Sequence, residues 1–227
     1  MDKQHPIERK SLQDNAIDWL RREIVHGRLP PGEVLTETAL AQQMGVGRGT
    51  VRSALFALEA QELVVRSPYA SCHVAPLNAE IIWEIYTLRE ALECLAARIF
   101  VSRRTPQSLE KLSQAFAGLV RAETGDMDRR VEADLCYHRT LVKATGHGHL
   151  DRRHKLLQDK MEWLYRWSEG YWPQREPLEQ GHRELHAVLT AGSEDEAEEM
   201  THRHIQTSLA EDLQGYAALS CEANSPA

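Results

Sequence analysis

The sequence predicts a mainly α-helical chain of two units: a small segment of three helices and a hairpin, then an all-helical bundle. Three observations carry this reading. Apolar residues recur at helical spacing along most of the 227 residues. Strand-like runs occur only around residues 63–74. Charge is also unevenly divided: residues 1–75 hold nine Lys/Arg and nine Asp/Glu, so the net charge of −7 arises entirely beyond them. A neutral head and an acidic remainder suggest different partners.

With 42% hydrophobic and 27% charged residues, the chain is globular rather than disordered. No apolar run approaches the ~18 residues of a membrane span, and MDKQHPIERK lacks a leader's apolar segment, so a cytoplasmic protein without membrane contact is expected. Cys72, Cys94, Cys136 and Cys221 are scattered, which suggests neither a disulfide framework nor a thiolate zinc site.

The first helix is expected over Ser11–His26, with Ile17, Leu20, Ile24 and Val25 on its apolar face and Gly27 as its stop. Leu29-Pro30-Pro31-Gly32 cannot continue it. Thr36 is a capping residue for a short second helix bearing Leu40, Ala41 and Met44, which Gly45 ends. A third helix runs from Arg48 to about Gln61, with Val51, Ala54, Leu55 and Leu58 inward. Leu63–Arg66 and Cys72–Val74 flank Ser67-Pro68-Tyr69-Ala70-Ser71 as a small hairpin. Helix, helix, tight turn, helix, hairpin is the order of a winged helix-turn-helix, expected over residues 10–75.

Such a module reads DNA with the N-terminal side chains of its third helix, where Arg can bond bidentately to guanine. Arg48 and Arg52 are the only charges between Gly45 and Leu58, and they lie one turn apart. Two arginines on a short helix also make an ordinary solvated face; the order of elements around them favours the DNA reading. The stretch from Leu29 to Glu37, continuing through Gly45-Val46-Gly47-Arg48-Gly49-Thr50-Val51-Arg52-Ser53-Ala54-Leu55, resembles the GntR-family DNA-binding domain. The resemblance implies DNA contacts from Arg48, Thr50 and Arg52, with Arg66 as the wing cation on phosphate. The sequence departs from the family pattern in Gly47 for Ser, Thr50 for Pro, and Ala70-Ser71 where the wing tip usually carries Arg-Gly.

From Asn78 onward the apolar residues Ile81, Ile85, Leu88, Leu92, Leu95 and Ile99 mark a long helix ending before Thr105-Pro106. Breaks at Gly125, Gly146/Gly148, Gly170 to Pro177 and Gly192 divide the remainder into about six helices, expected as a bundle over residues 78–215. Asp134 and His138 share one helical face with Val131, Leu135, Leu141 and Val142. An inward Asp needs a cation, whether metal or side chain. His182 lies ten residues before Gly192 and His204 twelve after it. If Gly192 turns two antiparallel helices, both sit ~15–18 Å from the turn. One oxygen and three imidazoles suit Zn²⁺ or a similar ion. With 11 histidines, some face inward by chance, and spacing alone chooses neither His204 over His202 nor excludes His186.

The segments Thr87–Glu93, Asp134–His138 and His182–Leu185, followed by His204, are similar to the FCD ligand-binding domain of the FadR subgroup of GntR regulators. That resemblance implies an effector-binding helical bundle with a divalent metal (Zn²⁺ first, Ni²⁺ or Mn²⁺ as alternatives) on Asp134, His138, His182 and His204. A homodimer with one recognition helix per subunit is expected on an inverted-repeat DNA operator, and family analogy makes it a repressor; because Asp and three neutral His around a divalent ion leave net +1, the expected effector is a small carboxylate. His147, where Asn often follows Gly in the family, becomes an added polar group near the site. Arg89 either faces the effector or forms an i,i+4 pair with Glu93 on an exposed helix. The aromatic segment Trp163, Tyr165, Trp167, Tyr171 and Trp172 reads as core or dimer packing. The chemical alternative is a metal-dependent hydrolase or lyase using the same Asp/His₃ set, disfavoured because no second carboxylate is placed to act as acid or base. A purely structural metal is a third reading.

Overall fold

The computed structural model describes residues 10–66, 72–171 and 177–223. The chain divides into two compact units, Met1–Pro76 and Leu77–Ala227. In the first, α1 (Leu12–Val25), β1 (Val34–Leu35), α2 (Glu37–Met44), α3 (Arg48–Glu59), β2 (Val64–Arg66) and β3 (Cys72–Val74) follow in order. Ser11 caps α1 in a reciprocal capping box with Asp14. Thr36 caps α2 by accepting from the Ala39 amide, and Gly45 ends it at φ +65°, a left-handed conformation that only glycine adopts without steric cost. Leu20, Ile24, Val51, Leu55 and Leu58 form the small core where α1 packs on α3.

Two residues too short to register as a strand complete a three-stranded sheet. After the Pro30-Pro31-Gly32 turn, Val34-Leu35 pair antiparallel with Cys72-His73, so β3 is central in the order β1-β3-β2. The Ala70-Ser71 wing tip lies outside the described residues.

The second unit comprises α4 (Ala79–Arg103), α5 (Pro106–Ala122), α6 (Met127–Ala144), α7 (Gly148–Tyr171), α8 (Leu178–Ala191) and α9 (Glu194–Ala223). Asn78, Thr105 and Asp126 cap α4, α5 and α6 through their side chains. α9 continues beyond residue 215, the expected limit of the bundle. It packs most extensively on α4, while α6 is flanked by α5 and α7. One apolar cluster gathers Phe100, Leu112, Tyr137 and Leu189; another gathers Ile82, Tyr86, Leu164 and Ile205.

The phase of α4 differs from the expected apolar stripe. Its buried side is Ile82, Ile85, Tyr86, Arg89, Glu93, Ala96 and Phe100, whereas Leu88 and Leu95 are 51% and 46% exposed. The inward face is rotated from the expected stripe, with Ile85 buried and Ile81, Leu92 and Ile99 packed against the core, because Arg89 and Glu93 take inward positions while Leu88 and Leu95 turn outward.

Candidate metal centre and nucleic-acid interface

In the helical unit, α6 brings Asp134 and His138 to its buried face, α8 brings His182, and α9 brings His204 across from it. Ligand nitrogens of His138, His182 and His204 all lie within 4.8 Å of one another. Nε2 of His182 is 3.1 Å from Nε2 of His138 and 3.1 Å from Asp134 Oδ1. Tetrahedral zinc with nitrogens at ~2.0–2.1 Å spaces its ligands about 3.3 Å apart, so this spacing is near that of a loaded centre.

Backbone carbonyls fix the tautomers. His182 Nδ1 donates to Leu178 O at 2.8 Å, and His204 Nδ1 donates to Gly181 O at 3.0 Å. A carbonyl can only accept, so in both rings Nδ1 carries the proton and Nε2 keeps its lone pair. Several acceptors thus converge, and Asp134 Oδ2 is buried with no hydrogen-bond partner. Facing lone pairs and an unpartnered carboxylate oxygen are costly without a cation between them. The donor set therefore fits a divalent ion.

His202 is half exposed and pairs with Glu90, and His186 stacks on Phe116 with its Nδ1 3.3 Å from the Tyr137 hydroxyl. Neither belongs to the cluster. His147 is exposed and accepts from the Leu150 amide as a helix-start contact, so the structure does not support its expected place beside the site.

Burial sets the charge states here. Desolvation holds the His138 and His204 imidazoles below their ordinary range; in His204 the neighbouring imidazoles add to it, and in His138 Glu93 opposes it. Asp134 is held well below the usual carboxylate range: burial opposes ionisation, but the adjoining His182 and His138 imidazoles and the Arg89 charge outweigh it.

Sequence reasoning missed three residues behind this cluster: Glu93, His154 and Tyr165. Glu93 and Arg89 form the i,i+4 pair the spacing allowed, at 2.9 Å, but inside the protein, with side chains 1% and 2% exposed. Arg89 Nη1 also donates to the Tyr165 hydroxyl, and its Nη2 is buried without a hydrogen-bond partner. A basic–acidic pair one turn apart looks like a solvated face, and nothing in the periodicity distinguishes the two cases. Of the aromatic segment, Trp163 and Tyr165 are buried; Trp172 lies outside the described residues, and the Tyr171 side chain is not described.

A cavity of about 320 Å³ borders the cluster, lined by Asp134, His182, His204, Tyr165, Gln180 and Arg203 among others. Arg89 is not on its wall; Tyr165 is. Arg203, paired with Glu184 at 2.9 Å, is the cation that lines it.

In the first unit, Arg48, Thr50 and Arg52 lie on the first turns of α3, and Arg48 and Arg52 are well exposed. Gly47 caps this helix without a side-chain bond, leaving its first amides open. Arg52 donates two 2.7 Å hydrogen bonds to the Glu37 carboxylate at the start of α2, and Arg48 Nη2 stands 3.9 Å from the same group. Arg66 lies 3.4 Å from Glu59. The Glu37 contact crosses 15 residues and had no sequence signal.

A helix-turn-helix with a β-wing and an exposed basic recognition helix, followed by an all-helical unit, defines a DNA-binding transcription regulator. Residues 12–74 match the family model "Bacterial regulatory proteins, gntR family", and residues 84–207 match the FCD domain model. The chain belongs to the gntR family of bacterial regulatory proteins and carries an FCD domain. It is 27% identical over 207 residues to the HTH-type transcriptional regulator BphR of Paraburkholderia xenovorans, covering 88% of this chain and 84% of that one. It is 26% identical over 205 residues to a protein of Paenarthrobacter nicotinovorans named as a probable D-xylose utilization operon transcriptional repressor, covering 89% of each. A GntR transcriptional regulator of Rhodococcus sp. RHA1 has the same fold, with a TM-score of 0.75 at 22% identity over 91% of this chain and 100% of that one. No helix among the described residues is long and apolar enough to cross a membrane.

Proposed function

We propose that this chain is a homodimeric transcriptional repressor that reads an inverted-repeat operator through Arg48, Thr50, Arg52 and Arg66. In this reading a small organic carboxylate, bound beside a divalent metal ion in the helical unit, releases it from DNA. The observation that carries the sensing half is the meeting of three imidazoles and the unpartnered Asp134 carboxylate, with Asp134, His182 and His204 on the wall of the cavity. These three and His138 would hold the ion, Zn²⁺ or else Ni²⁺ or Mn²⁺. Bound there, it supplies a positive, Lewis-acidic point for an anion.

The chain's own residues orient the ligand. Arg203, Gln180, Thr207 and Ser208 offer donors around the cavity. Tyr165 is on its wall, and its hydroxyl is held by Arg89, which gives Arg89 an effector role at one remove. Repression is favoured by the description of the D-xylose relative. Dimerisation is favoured by the outward face of α4, where Leu88 and Leu95 are exposed with Leu92 and Ile99 half-buried between and beyond them. Ligand can shift DNA affinity only by its unequal affinity for the two arrangements of the dimer.

Glu93 does not revive the hydrolase or lyase reading. It stands on the Nδ1 side of His138, engaged by Arg89 and His154, rather than on the cavity wall.

Native mass spectrometry of the purified chain tests the proposal. The expected species is two chains with one ion each and a small anion that leaves chemically unaltered. Adding that anion back should dissociate the operator complex. A metal-free monomer, or conversion of the anion to product, would contradict it.

A further inference from the structure

Glu93 has no part in ligand or DNA contact, yet it is among the most enclosed charged groups of the chain. Its Oε1 accepts from Arg89 Nε at 2.9 Å and stands 3.1 Å from His154 Nε2. Its Oε2 is 2.7 Å from Nδ1 of His138, a close charge contact outside hydrogen-bond geometry, and neither atom has a hydrogen-bond partner. A simple internal ion pair with Arg89 accounts for the first oxygen and leaves the second unexplained. That second oxygen faces an imidazole whose opposite nitrogen, Nε2, is turned toward His182 and Asp134.

Imidazoles that bind a metal through one nitrogen almost always give the other N–H to a carboxylate, a carbonyl or water, which sets ring orientation and raises donor strength. His182 and His204 do this with backbone carbonyls. His138 alone of the three has a carboxylate behind it.

We propose that Glu93 is the positioning residue of the metal centre: by holding His138 through Nδ1 it keeps the Nε2 lone pair on the common point and makes this imidazole the strongest of the three donors. Arg89 and His154 hold Glu93 in place from its other oxygen. The inference rests on the metal reading above and concerns a residue outside the ligand set.

The test uses the full chain, stripped with a chelator and titrated with Zn²⁺ against a chromophoric competitor. Wild type is expected to bind one ion per chain, and Glu93→Gln to bind roughly 10–100-fold more weakly. Ring-¹⁵N NMR of the metal-free proteins gives a second readout: His138 should be a single Nδ1–H tautomer in wild type and a mixture in Glu93→Gln. His154→Gln touches only the other Glu93 oxygen and should leave the His138 tautomer in place.

Because Glu93→Gln strands the Arg89 charge, the double variant Arg89→Met/Glu93→Gln removes both buried charges together and guards against a folding failure. It should show the same loss of affinity. Wild-type affinity with an unchanged His138 tautomer in either folded variant overturns the role of Glu93 and leaves the centre standing. An equal tautomer change in His154→Gln also overturns it, by showing only general packing. A wild-type chain that binds no Zn²⁺ overturns the metal reading itself, and this inference with it.

Discussion

Arg52→Ala is expected to abolish sequence-specific operator binding while leaving the fold intact. A bidentate Arg–guanine contact discriminates by roughly 5- to 100-fold per site, and a dimer on an inverted repeat makes the contact twice, so the combined loss runs from about 25-fold to about 10⁴-fold. The side chain is 61% exposed and its loss removes only a surface ion pair with Glu37, so the unfolding midpoint should move little. Arg52→Lys should recover little, because an ammonium cannot reproduce the planar fork that now grips Glu37 and would grip a base. Fluorescence anisotropy at fixed salt, with operator and scrambled duplexes side by side, separates the cases. Equal affinity of wild type and Arg52→Ala for operator would remove α3 as the reading helix.

The second large effect is on the helical unit. Loading with metal in ~1,000-fold excess over its dissociation constant adds about 4 kcal/mol, which for a unit of this size corresponds to roughly 10 °C in unfolding temperature. His138→Ala and His204→Ala should each remove that gain, since each deletes a donor and leaves Asp134 less compensated.

Acid should act in the same direction. His138 and His204 are held below their ordinary range, so below about pH 6.5 the unfolded chain takes up protons that the folded one refuses, and stability falls. Asp134 and Glu93 are also depressed, so what they contribute survives to much lower pH. Metal binding needs neutral imidazoles. Differential scanning calorimetry at pH 7.5 and 5.5 should therefore show a steeper loss with metal than without it. A metal-independent slope would exclude His138 and His204 from the centre.

Much of this was legible in sequence, for identifiable reasons. The caps and stops of α1 and α2 are written in Ser11, Thr36 and Gly45, whose chemistry is local. Asp134 and His138 declared themselves because a carboxylate on an apolar face has no cheap explanation. What escaped depends on tertiary contact. Val34-Leu35 become a strand only because β3 lies alongside. Glu93 is invisible because Arg89 four residues earlier makes the pair look solvent-facing, when the bundle encloses both. Leu88 and Leu95 of α4 misled for the converse reason: they point away from the core, so their hydrophobicity marked the side left uncovered in one chain.

The carboxylate at the head of α2 has a consequence for how the regulator finds its site. Glu37 is kept ionised by Arg52, so the exposed patch carries one positive charge where a count of arginines suggests two. Duplex DNA releases about 0.9 of a counterion for each phosphate neutralised. An anchored anion among the reading side chains therefore blunts nonselective attraction to bulk genomic DNA.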